Sequence, residues 1–104
     1  MWIVKKDSFL SIVADQTNKE TLLVRGRLKG DVEAVFPHAK VTKTPDADYF
    51  YRAFLPRNDV RQAISEIVES LDYPNFKSSV KSNYRHDIYM RLWQVMFDAQ
   101  SILN

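Results

Sequence analysis

Two aspartates separated by one residue, Asp46 and Asp48 in the run Pro45-Asp46-Ala47-Asp48, come nearest to a metal site in this sequence. On a strand, alternate side chains leave from the same face, and two carboxylates so placed could hold magnesium for attack on a phosphodiester. Such a centre also wants an acidic-x-Lys run nearby, and none follows. Pro-Asp sequences more often shape turns. The two histidines, His38 and His86, have neither a second histidine at helical spacing nor a carboxylate pair suited to zinc. No nucleophile elbow, glycine-rich phosphate loop or paired-histidine zinc motif is present. The expectation is a protein that is not an enzyme and carries no cofactor or metal, with Asp46 and Asp48 as the one exception to test.

The basic residues make a stronger pattern. The net charge is only +2, but positive charge is concentrated over residues 19–57 while the segment 58–72 is acidic. Arg25, Arg27 and Lys29 alternate, so an uninterrupted strand would place all three on one face, about 7 Å apart. Lys43 and Arg52 fall on a second strand pair, with Tyr49 and Tyr51 beside them. If residues 75–85 are helical, Lys77, Lys81 and Arg85 stack in one row. Cations interleaved with aromatic rings on an open sheet suit single-stranded nucleic acid or structured RNA, charge meeting phosphate and rings meeting bases. The plainer reading is that any wet sheet face alternates Lys, Arg and Thr.

These residues need elements to position them. Trp2 to Lys6 and Phe9 to Ala14 read as short strands around Asp7-Ser8, and Glu20 to Lys29 as a longer one with Gly26 on its apolar face. Gly26 implies a bulge or a close-packed neighbour. Gly30-Asp31 opens a short helix stopped by Pro37, and Lys40 to Thr44 and Asp48 to Leu55 form another strand pair. The period then changes. Asn58 or Asp59 caps a helix with Val60, Ala63, Ile64, Ile67, Val68 and Leu71 on one face. A short helix within 75–82 precedes a long one, Arg85 to Leu103, capped by Ser82 or Asn83.

The long helix carries Ile88, Leu92, Val95, Met96, Ala99, Ile102 and Leu103 as a regular stripe, and Tyr89, Met90, Trp93 and Phe97 widen its apolar arc. The second group is the candidate protein-partner interface, since grouped exposed aromatics usually mean contact. The order βββ-α-ββ-α-α implies an α+β two-layer domain: a five-stranded, mainly antiparallel sheet with two C-terminal helices packed on one face. The expected core is Val4, Phe9, Ile12, Leu22, Val24, Phe36, Ile64, Ile67, Val68, Leu71, Leu92, Val95, Met96 and Ala99.

Composition bounds the rest. The 104 residues suffice for a single domain with one modest core, spanning 1–104. With 45% hydrophobic and 27% charged residues, the chain is globular, not disordered. The absence of cysteine excludes disulfide scaffolds and thiol catalysis and suits the cytoplasm. No apolar run reaches membrane-span length, and the first residues do not form a signal peptide.

Trp2…Lys5-Lys6…Phe9-x-Ser11-x-Val13, Val24-Arg25-x-Arg27, Asp48-Tyr49-x-Tyr51-Arg52, Tyr73-x-Asn75-Phe76-Lys77-Ser78 and Tyr89-x-x-x-Trp93-x-x-Met96-x-x-x-Gln100 together resemble a small family of uncharacterised bacterial proteins. The resemblance keeps its order over nearly the whole chain, implying a complete free-standing protein, and supplies no activity, ligand or site residue. Two functions are therefore carried forward. The first is a basic sheet face contacting nucleic acid. The second is a protein-partner adaptor, inhibitor or homodimer using the aromatic face of the last helix. One form of it is a mobile-element product acting on a host nucleoprotein complex.

Overall fold

In the computed structural model, which describes all 104 residues, the chain opens as a hairpin. β1 (Trp2–Lys5) pairs antiparallel with β2 (Ser8–Ala14), and Lys5 lies opposite Ser8. The two-residue turn is therefore Lys6-Asp7. Burial raises the pKa of Asp7, but the bond and charge of the Lys5 ammonium, with help from the Ser8 hydroxyl, outweigh it and hold the carboxyl below its ordinary value. β3 (Thr21–Gly26) pairs antiparallel with β2, placing Val24 opposite Ile12 and Arg25 opposite Ser11.

The expected strand through Lys29 stops at Gly26, and the reason is local. Leu10 is the partner of Gly26, so the next N–H along β2, that of Phe9, would need a partner from an extended β3. It donates instead to the Asp31 carboxylate at 2.9 Å. Asp31 opens α1 (Asp31–Val35) and is almost fully buried. A Cβ on Gly26 would sit 3.3 Å from Val32 Cγ2, so the glycine lets α1 press onto the strand. Gly30, at φ +92°, takes the left-handed turn that starts the helix.

β4 (Thr42–Lys43) is a two-residue edge strand, and β5 (Tyr51–Pro56) runs between it and β3. The resulting sheet is five-stranded, in the order β1-β2-β3-β5-β4, with every pairing antiparallel. α2 (Arg57–Glu69) follows β5 directly, with Pro56 at the cap position where Asn58 or Asp59 was expected. Leu10, Ile12, Val24, Val32, Phe36, Ala53 and Val60 form the core, with Leu22, Ala63 and Ile64 packed against it. Burying the valine, leucine, isoleucine and phenylalanine side chains contributes about 1.5–3 kcal/mol each before the entropy cost of ordering them. Of the expected core positions, Val68 and Leu71 are instead exposed, one and two turns beyond Ile64 where the core cluster ends. Val4 and Phe9, paired across β1 and β2, lie on the sheet face opposite to Leu10.

Within the chain, two compact units separate, Met1–Asp72 and Tyr73–Asn104. The helices serving the sheet in the first unit are α1 and α2. The second unit holds α3 (Phe76–Ser79) and α4 (Asn83–Leu103). Asn75 caps α3 by accepting from the Ser78 N–H, and Ser82 caps α4 by accepting from the Arg85 N–H. Phe76 stacks on Tyr89 at 5.8 Å between ring centroids, and Lys77 lies over the Trp93 ring at 4.9 Å. These contacts depart from the expected roles of the two α4 faces, burying Tyr89 while Trp93 and Phe97 stay partly exposed. α3 occupies the Tyr89/Trp93 side, whereas Val95 and Met96, expected in the core, are 62% exposed. The chain is thus an α+β protein with its sheet first and its longest helix last. No helix is long and apolar enough to cross a membrane.

Candidate nucleic-acid interface

Alternation along the strands divides the sheet into two faces. Leu10, Ile12, Val24 and Ala53 point into the core under α1 and α2. The opposite, outer face carries two cross-strand rows fixed by the register. Ser11, Arg25, Arg52 and Thr42 form one, running over β2, β3, β5 and β4; Val13, Leu23 and Phe54 form the next. Trp2 on β1, opposite Ser11, extends the first row to the sheet edge and meets Phe9 at 5.7 Å between ring centroids. Phe54 and Trp2 are 62% and 67% exposed.

Arg25 and Arg52 are direct cross-strand partners. Like charges so placed repel, and the surrounding groups only partly offset this. Arg25 donates from Nη2 to the Ser11 hydroxyl at 2.8 Å, and its guanidinium lies 4.5 Å from the centre of the Tyr49 ring. Its buried Nε has no hydrogen-bond partner. Arg27 covers the same ring at 4.0 Å and donates to the Asp48 carbonyl at 2.7 Å. Arg52 donates from Nε to the Tyr49 carbonyl and from Nη2 to the Asp48 carboxylate at 3.2 Å. Two guanidinium groups thus cover the Tyr49 ring, and the third, that of Arg52, pairs with the Asp48 carboxylate. Beside them a groove of about 650 Å³ is lined by Val13, Ala14, Asp15, Gln16, Thr17, Leu23, Arg25, Arg52 and Phe54.

Several sequence expectations fail here for identifiable reasons. Because β3 ends at Gly26, Arg25, Arg27 and Lys29 do not form a straight row; Arg27 reaches Tyr49 from the turn, and Lys29 is exposed beyond the strand. Lys43 lies opposite Tyr51, which packs against the core, so it belongs to the helix-covered face and not to that of Arg52. Tyr49 is only 3% exposed and serves the arginines as a platform; Tyr51 packs inward. Neither is an open stacking surface.

The row Lys77, Lys81, Arg85 is broken because α3 ends at Ser79 and α4 begins at Asn83. Lys77 lies over Trp93, Lys81 donates to the Ser78 carbonyl, and Arg85 donates to the Tyr89 hydroxyl at 3.2 Å. Of the partner-interface candidates, Tyr89 is buried and Met90 half-buried, while Trp93 and Phe97 stack at 5.1 Å and stay partly exposed.

Asp46 and Asp48 sit in a turn, not on a strand, so they do not share a strand face. Asp48 Oδ1 instead accepts from the Tyr49 N–H and from Arg52. No group of three or more His, Cys, Asp or Glu side chains is placed to hold a metal ion. Ser11, Phe54 and Trp2, by contrast, join the site without having been singled out. Strand alternation already puts Phe54 with Arg52, but which face of the sheet stays open depends on where α1 and α2 pack. No family model, curated protein or solved structure matches the chain.

Proposed function

We propose that the outer sheet face of the first unit binds single-stranded nucleic acid, making this a non-catalytic binding protein. The observation carrying this reading is the row Arg25–Arg52 beside the exposed Phe54, on a sheet face that neither α1 nor α2 occupies. Adjacent guanidinium groups, of which only Arg52 pairs with a carboxylate, attract an anion, and the planar fork of each suits bidentate contact with phosphate oxygens. Phe54 and Trp2 supply faces on which bases stack without regard to sequence, worth about 1–3 kcal/mol per base. Tyr49 takes a supporting role, holding Arg25 and Arg27 in place from beneath.

The test is a titration of labelled single-stranded oligonucleotides against the full chain at two salt concentrations, with poly-glutamate as a competing polyanion without bases. Binding should weaken steeply with salt as condensed counterions are released. Arg52→Glu should cost more than tenfold in affinity, and Phe54→Ala about tenfold, from one lost stacking contact. Flat titrations at low salt would remove the proposal. So would equal competition by poly-glutamate together with an unaffected Phe54→Ala variant, because the surface would then be a general anion site.

A further inference from the structure

The apolar stripe of α4 has a spacing of its own. Ile88, Leu92, Val95, Ala99 and Ile102 recur at intervals of four, three, four and three residues, the repeat of a coiled-coil seam. They extend about 21 Å along the helix axis. Met96 and Leu103 border the seam on one side, Arg91 and Asp98 on the other. None of these is covered as a core would be: Leu92 and Ala99 are half-buried, Ile88 is partly exposed, and Ile102 and Leu103 are 79% and 81% exposed. α3 borders only the start of this seam, through the stacking of Phe76 on Tyr89, and leaves Val95, Met96, Ile102 and Leu103 exposed.

We infer that this seam is closed by α4 of a second copy of the chain, running antiparallel about a two-fold axis. Charge and size on the helix itself select that occupant. In an antiparallel pair the two-fold axis brings like flanks of the seam together, so Arg91 of one copy meets Asp98 of the other, twice per dimer. A parallel pair would instead bring the Arg91/Asp98 flank against Met96 and Leu103, leaving charge against hydrocarbon. The same axis layers Ile88 against Ala99 and Leu92 against Val95, large against small at one level and matched branched chains at the next, and sets Ile102 against the apolar stem of Arg85 at each end. The interface is isologous and closes on itself, leaving no unsatisfied copy of the patch. It lies wholly on the second unit and is independent of the nucleic-acid reading.

Light scattering on the full chain across a concentration series should give twice the 12.2 kDa chain mass, falling to that mass on dilution. Arg91→Asp sets aspartate against Asp98 and should raise the dissociation constant at least about tenfold, as should Asp98→Arg. The double exchange restores the pairing with its sign reversed and should recover the dimer. Because the native chain contains no cysteine, orientation can be read directly. Ile88→Cys mixed with Ala99→Cys should form a mixed disulfide, while Ile88→Cys alone should not cross-link to itself. A chain that stays monomeric at every concentration would overturn the inference. A dimer indifferent to the charge exchange, or an Ile88→Cys self-disulfide, would overturn it equally.

Discussion

The two units of this chain solve the problem of apolar surface in opposite ways. In Met1–Asp72, strands that cannot satisfy their own backbone groups must find one another, and the register that pairs them also closes the core. Val24 is fully buried because Ile12 and Ala53 flank it across two ladders and Val32 of α1 and Val60 of α2 join it in the core. In Tyr73–Asn104, α4 satisfies its own ladder residue by residue, so it can form with one flank served by α3 and another uncovered. A sheet commits its apolar residues as it forms; a helix forms first and leaves its stripe available to another surface. That is why the two candidate surfaces differ in kind. The one on the sheet is a set of charges aligned by register, and the one on the helix is an apolar seam aligned by periodicity.

The sharpest way to break this comparison is one truncation in each unit. Leu10→Ala, at a side chain 1% exposed, should destabilise the chain by about 2–5 kcal/mol, whereas Val95→Ala should cost under about 0.5 kcal/mol in the monomer. Denaturant melts at low protein concentration measure both, and similar losses would mean that the α4 seam is covered within one chain. An intermediate effect is expected at the cap of α4. Ser82→Ala removes the acceptor of the Arg85 N–H and should cost about 1 kcal/mol. Amide hydrogen exchange should place that loss in the first turn of α4 and spare the strands; a loss spread over β2 and β3 would contradict it.

The smallest effect belongs to the hairpin turn. The folded pKa of Asp7 is depressed by Lys5, so its contribution to stability is present above the ordinary carboxylate range and disappears as pH falls through the depressed value. The difference in melting temperature between wild type and Asp7→Asn should shrink on acidification from neutral pH. Because the aspartate is half exposed, solvent screens the pair and the effect stays small. A gap that widens as pH falls would show that the carboxyl is not held low.

Much of this architecture is legible along the chain. Leu22 and Val24 on one face against Arg25 and Arg27 on the other mark β3, Pro74 separates two helical segments, and Ser82 announces α4. What alternation does not reveal is which strand lies opposite which. Arg52 is visibly basic, but its apposition to Arg25 depends on β5 crossing over to pair with β3 across α1 and β4. Asp31 looks like a helix-opening acid; only the fold turns it into the acceptor that ends a neighbouring strand.

The sequence by itself determined the local periods: strand in the first half, helix in the second, and the two-sided apolar character of α4. These follow from nearest-neighbour geometry, which a chain carries wherever it goes. Tertiary structure alone decided which side of each period was covered. It buried Tyr49 beneath two arginines, set Lys43 on the opposite face from Arg52, and placed α3 on the aromatic flank of α4 while leaving the aliphatic seam exposed. The physical reason is that a period specifies a face without specifying its partner, and the partner is chosen by contacts between residues far apart in the chain.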